Sequence, residues 1–195
     1  MRIHRLNPAH SNLGPFARLL LATLALAASA PAFSADSPIR TIEVTRTGET
    51  YVVNSVMFAP VAQSVAWDVL TDFDKLAAWV PNVAQSKATK REDNWVMVEQ
   101  RGTAKFGAAS FPYVTERKIE LTPQTAIKTT QLRGSLRRVE STLMLEPDGK
   151  GTKINYHLEI VPSILAGAVM SKEFLEHEVT EQFTAIVGEM VRRAP

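Results

Sequence analysis

The stretch from Phe58 to Asn82 limits the possible folds more than any other part of the chain. It reads Phe58-Ala59-Pro60, then Val61 to Leu70, then Thr71-Asp72-Phe73, and closes on Trp79-Val80-Pro81-Asn82. An extended run ends at Pro60, and proline is tolerated in a first helical turn, where its missing N–H costs little. Ala62, Val65, Ala66 and Val69 fall on one face of the helix that follows. Thr71 and Asp72 supply caps for a second short helix holding Leu76, Ala77, Ala78 and Trp79. Pro81 makes Val80 extended and stops that helix. Two short helices therefore follow a strand and lead into another strand.

The rest of the chain after residue 35 repeats a simpler pattern. Arg40–Arg46 and Thr50–Phe58 read as extended runs around Gly48. After the short helices come Val83–Lys90, Trp95–Arg101, Ser110–Leu121, Ala126–Arg133, Leu136–Leu145 and Thr152–Val161. Turn-like residues separate them, among them Glu92-Asp93-Asn94, Gly134-Ser135 and Pro147 to Gly151. Short turns between consecutive strands predict an antiparallel meander. A long helix over Ser163–Arg193 closes the chain, with Leu175, Val179, Phe183, Ile186 and Met190 on one stripe. A sheet needs its apolar face covered, and this stripe can cover it. The predicted class is α+β: a helix-grip arrangement in which a curved antiparallel β-sheet wraps a long C-terminal helix, with two short helices after the first strand region.

Trp67, Asp72-Phe73 and Trp79-Val80-Pro81, continuing through Gly151-Thr152, Tyr156 and Pro162 into the last helix, resemble the START-like (SRPBCC, Bet v 1-like) superfamily. The similarity is strongest to its polyketide cyclase/dehydrase and coenzyme-Q-binding (Coq10-type START) branch and covers most of the chain after Ile42. The resemblance implies a carrier fold for lipids, quinones, sterols or polyketides. It carries over no shared catalytic signature, because such folds host unrelated activities.

The N-terminus reads differently. Arg2, Arg5 and Arg18 precede a Leu/Ala-rich run from Leu19 to Ala30, with small residues to Ala35. That is the pattern of a secretory signal peptide, expected to span residues 1–35 and to leave a domain over 36–195. The run is too short for a bilayer span, which takes roughly 20 apolar residues, so no stable membrane span is expected after cleavage. A periplasmic or secreted location follows. Residues 1–35 hold three arginines and no acid, leaving 19 basic and 20 acidic side chains in the remainder. The basicity of the full chain is a targeting feature and gives no nucleic-acid footprint. The chain has no cysteine, which excludes disulfides, thiolate metal sites and a cysteine nucleophile.

Chemistry has few places to sit. Ser110–Leu121 alternates cleanly, with Phe111, Tyr113, Thr115, Arg117, Ile119 and Leu121 on the face expected to meet the helix. Arg117 is then a charge among mostly apolar neighbours, and burying an unpaired charge is expensive. It pairs with a carboxylate (Glu99 and Glu140 are the candidates), lines a wet cavity, or escapes through a bulge. Trp79, Trp95, Tyr113 and Tyr156 are polar-tipped aromatics suited to a cavity that is apolar along its walls and polar at a few points. Gln131 shares a strand face with Ile127 and Thr129. Met170 and Phe174 fall off the stripe of the last helix and suit either a cavity mouth or packing under the loop that follows Pro162. His157 and His177 stand without histidine partners, and no His-Glu-x-x-His arrangement occurs, so no metal or other cofactor is expected. Gly149-Lys150-Gly151-Thr152 lacks full phosphate-loop spacing and reads as a hairpin turn.

The leading functional expectation is a binding protein for a hydrophobic small molecule, held between sheet and helix. The candidate cavity residues are Trp79, Trp95, Glu99, Tyr113, Arg117, Gln131, Tyr156, Met170 and Phe174, with no catalytic set. The rival is a cyclase or dehydratase using polar cavity residues. A third reading is a module whose sheet edge or groove holds a partner chain.

Overall fold

The computed structural model describes residues 37–195. The signal-peptide expectation falls on residues 1–35 and lies outside the described residues. Eight strands form one sheet: β1 (Ile39–Thr47), β2 (Thr50–Ala59), β3 (Val83–Glu92), β4 (Trp95–Phe106), β5 (Ala109–Thr122), β6 (Ala126–Gly134), β7 (Arg138–Asp148) and β8 (Gly151–Val161). Their spatial order is β1-β2-β8-β7-β6-β5-β4-β3, and every pairing is antiparallel. β3 to β8 is the meander that the turn spacing predicts, while β2 crosses back to pair with β8. The Gly149-Lys150 step is a hairpin turn, with Asp148 opposite Gly151 and Gly149 at φ +62°. This is the left-handed region that glycine enters without steric cost.

Helix α1 (Gln63–Leu70) and a 3-10 helix (Phe73–Ala78) fill the β2–β3 connection. Pro60 sits in the bend before α1, outside the helix's first turn. Asp72 stands at the N-terminus of the 3-10 helix but caps nothing with its side chain. Its carboxylate instead meets Arg193 at 2.9 Å and Lys75 at 3.4 Å. Ion pairing to the far end of the chain has displaced the expected local cap.

The single terminal helix expected over Ser163–Arg193 is two helices. α2 covers Ile164–Gly167 and α3 covers Lys172–Arg193. The break arises because Ser171 adopts an extended conformation and caps α3, its hydroxyl accepting from the Phe174 amide at 3.1 Å. Leu175, Val179, Phe183 and Met190 are buried against the sheet, as the stripe requires. One continuous core joins α1, α3 and the inner face of the sheet.

The free end of α3 is fastened by charge. Glu189 accepts from Arg192 Nε and Nη2, both at 2.6 Å, and from Arg193 Nε at 2.7 Å. Arg193 also lies over the Trp79 ring, 4.7 Å from its centroid. The Arg192 bonds, aided by Arg193, hold the Glu189 carboxyl down at about 2. Only 6% of its side chain is accessible, because the two arginines cover it at the surface of the molecule.

Candidate ligand-binding cavity

Between α3 and the bent sheet lies a cavity of about 280 Å³. Its walls are mostly apolar: Phe111, Ile119, Ile127 and Leu158 from the sheet, Val179 and Phe183 from α3. Strand alternation decides who reaches it. On β5 the inner set is Phe111, Tyr113, Thr115, Arg117 and Ile119; on β6 it is Ile127, Thr129 and Gln131. The register between these strands slips at Glu116/Arg117, so that Leu132 has no partner on β5 and is exposed. This bulge does not release Arg117 to solvent, and the side chain stays on the inner face.

Arg117 is the chemical centre of the cavity. Its Nε is buried without a hydrogen-bond partner. Among the described residues no carboxylate contributes to its electrostatics; the nearest polar influences are the phenols of Tyr113 and Tyr156. The residue is enclosed by protein, and the surface it keeps is cavity wall. Desolvation pushes its pKa down from the ordinary arginine value, yet a guanidinium remains charged at physiological pH. The result is an unpaired cation in a low-dielectric space, where an approaching anion or carbonyl would be held far more strongly than in water.

Several other polar groups of the cavity already have partners. The Tyr113 hydroxyl donates to the Asn82 carbonyl at 3.2 Å. That contact depends on Gly102, since a Cβ there would fall 1.9 Å from the same oxygen. Ser141 stands beside the Tyr156 phenol, whose ring packs against Phe183 at 5.0 Å. Burial raises both tyrosine pKa values, so both remain neutral phenols. Gln131 is used at both ends, donating to the Leu136 carbonyl at 2.9 Å and accepting from Thr115 at 3.2 Å. Glu178 of α3 accepts from Asn82 Nδ2 at 2.5 Å and from the Lys105 amide at 2.8 Å. Burial raises its pKa, and those two bonds oppose the rise.

Six of the nine residues singled out from the sequence line this space: Tyr113, Arg117, Gln131, Tyr156, Met170 and Phe174. Three do not. On β4 the buried positions are Val96, Val98, Gln100 and Ala104, so Trp95 and Glu99 face outward. Trp95 lies beneath Lys90 and Lys118, and Glu99 stands opposite Glu116 on the outer surface, away from Arg117. Glu140 is likewise outward, near Arg138. Trp79 belongs to the α3 clamp with Arg193. Glu178, Asn82 and Gly102 were missed from sequence. Glu178 lies one helical turn or less from Leu175 and Val179 on the buried stripe, a position where a carboxylate is unexpected and therefore informative.

The fold matches known proteins. The family model for polyketide cyclase / dehydrase and lipid transport proteins matches residues 49–194. The chain belongs to that family. Sequence comparison with curated proteins finds no match. Among solved structures, the aromatase/cyclase Zhui from Streptomyces sp. R1128 superposes with a TM-score of 0.62 at 16% identity, covering 74% of this chain and 95% of that one. A START superfamily protein from Mycobacterium smegmatis gives 0.62 at 13%, covering 72% and 97%. A STAR-related lipid transfer protein from Xanthomonas axonopodis gives 0.58 at 15%, covering 77% and 98%. At these identities the likeness establishes the helix-grip fold and leaves activity open.

Proposed function

We propose that this protein is an exported carrier that binds a compact hydrophobic molecule bearing an acidic or carbonyl oxygen, seated on Arg117. One observation supports this above all: inside an apolar cavity, the Arg117 guanidinium has a buried Nε without a hydrogen-bond partner and no carboxylate beside it among the described residues. Unpaired buried charge is costly in the free protein, and a ligand oxygen removes that cost. The volume falls just below the roughly 300–1,000 Å³ typical of ligand sites, which favours a ring system or short acyl chain over a long lipid. Relatives described as aromatase/cyclase and as lipid transfer proteins are compatible with such cargo. Export rests on Arg2, Arg5, Arg18 and the Leu19–Ala30 run.

The test is native mass spectrometry of protein recovered from the cell envelope, followed by binding of a panel holding a medium-chain fatty acid, a short prenyl quinone and a polyphenolic ketone. An extractable apolar compound and binding of at least one panel member are expected. Ligand-free protein that ignores the whole panel overturns the reading. Sequencing of the recovered N-terminus tests export, with a start near Ala35 expected.

A second reading, a cyclase or dehydratase, draws on Tyr113 and Glu178 lining the same space as Arg117. Both carboxylate oxygens of Glu178 are already engaged by Asn82 and Lys105, which suits a fastener better than a proton-transfer group. Turnover of a panel ketone that vanishes in Glu178→Gln, with binding kept, would favour the enzyme.

A further inference from the structure

The corner that joins β8 to α3 is built unlike the rest of the surface. Ile164 and Leu165, at the tip of α2, are 94% and 80% exposed. No other large apolar side chain of the described residues exceeds 57%. The segment from Ile160 to Ser171 carries no charged side chain, and the next residue is Lys172. The comparably uncharged stretch of β2 is half buried by alternation, whereas Ile164, Leu165, Gly167 and Ala168 all face solvent. Beside them lies a surface hollow bounded by Phe111, Pro112 and Val169, with three serines and a single charged residue, Arg137. Among the described residues no carboxylate lines that hollow.

Two aliphatic side chains offer on the order of 200 Å² of apolar surface. That is far short of the roughly 1,200–2,000 Å² buried in a specific protein–protein interface, so a second copy or a folded partner is poorly served by this tip. It suits shallow insertion into a bilayer, where a small apolar wedge works together with nearby cations. Arg137 and Lys172 are the cations of this flank, each beside an exposed carboxylate, Glu49 at 2.8 Å from Arg137 and Glu173 next to Lys172; such exposed pairs exchange readily with solvent and anionic head groups. The patch is also continuous with the interior. Phe111 lines both the surface hollow and the inner cavity, and Val169 of the hollow is followed by Met170 of the cavity.

We propose that the α2 corner docks on an anionic phospholipid bilayer, with Ile164 and Leu165 entering the acyl boundary and Arg137 and Lys172 meeting phosphate. The claim concerns the outer surface and holds whether or not the cavity reading does, since Arg117→Met leaves this corner intact.

The chain has no cysteine, so Leu165→Cys gives a unique attachment point for an environment-sensitive fluorophore in the full chain. Lys150→Cys, in the turn at the opposite end of β8, is the control. That end also lies beside the start of β1, where Arg40 meets Asp148 at 2.7 Å. Vesicles of equal parts phosphatidylglycerol and phosphatidylethanolamine should blue-shift and brighten the probe at position 165, and leave position 150 unchanged. The response should weaken with added salt and be at least several-fold smaller on phosphatidylcholine vesicles. In flotation, Ile164→Ser with Leu165→Ser should reduce vesicle binding about tenfold at unchanged melting temperature, because both side chains are exposed. Silence at position 165, an equal response at position 150, equal response to both vesicle types, or a position-165 response to protein concentration alone overturns the proposal; the last would indicate a second copy.

Discussion

The two halves of α3 treat charge in opposite ways. At its C-terminal end Glu189, Arg192, Arg193 and Asp72 satisfy one another within 2.9 Å, and Trp79 lies under the same Arg193 guanidinium. At its N-terminal half the helix covers Arg117, whose guanidinium lacks an acidic partner among the described residues, while Glu178, the α3 carboxylate lining the same cavity, is committed to Asn82 and Lys105. Matched charges at a surface hold the helix down. An unmatched charge in an apolar space is unfavourable for the free protein, and such groups persist where a site needs them. The comparison separates what fixes the fold from what the fold leaves available.

The sharpest way to break this contrast is Arg117→Met. It removes the buried cation and keeps most of the volume. Two opposite changes are expected: the ligand-free protein gains about 1–3 kcal/mol in stability, and affinity for an acidic or carbonyl ligand falls about 10- to 100-fold. Urea unfolding and ligand titration read the two. A loss of stability would mean that Arg117 is a structural member of the core, and the carrier reading would lose its main support.

The clamp should respond in the reverse sense. Arg193→Met deletes bonds to Asp72 and Glu189 and the stack on Trp79, and is expected to cost about 1–2 kcal/mol with ligand affinity unchanged. The cost is small because these groups border solvent. Denaturant midpoints measure it. An equal loss of affinity would show that the two ends of α3 are coupled.

Acid titration sharpens the same comparison with a smaller effect. Folding holds Glu189 at about 2, below its ordinary 4.5. Its contribution is therefore fully present above pH 4.5 and is lost as pH falls toward 2. Folding raises Glu178 above 4.5, so the native state binds more protons there and stability declines as pH rises through that raised value. Glu189→Gln should flatten the acid limb below pH 4.5, and Glu178→Gln should flatten the slope just above it. Melting temperature against pH distinguishes them. Identical profiles for both variants would mean that the two carboxyls do not differ in environment.

Much of this arrangement was legible in the sequence because it follows from periodicity. The alternation of Ser110–Leu121 placed Tyr113 and Arg117 on the inner face, and the spacing of Leu175, Val179, Phe183 and Met190 placed the helix. Register was not legible. Trp95 and Glu99 belong to a strand whose two faces are both partly apolar, and only the pairing with β5 fixes Val96 and Val98 as the inner ones. The roles of Asp72 and Glu178 were hidden for a different reason. Each depends on a partner more than ninety residues away, and local capping rules speak only of neighbours.

The smallest predicted effect tests that register directly. Trp95 and Glu99 sit on the outer face of β4, with Trp95 against Lys90 and Lys118 and Glu99 exposed opposite Glu116. Two carboxylates directly across an antiparallel pair repel weakly, so Glu99→Gln should leave stability within about 0.5 kcal/mol of wild type, or raise it slightly. Ligand affinity should not change in either Glu99→Gln or Trp95→Phe. The cavity-side control is Val98→Ala, one residue away, which truncates a fully buried side chain and should cost about 1–3 kcal/mol. If Glu99→Gln weakened ligand binding while Val98→Ala were silent, β4 would be turned over, and Arg117 would have an acidic partner after all.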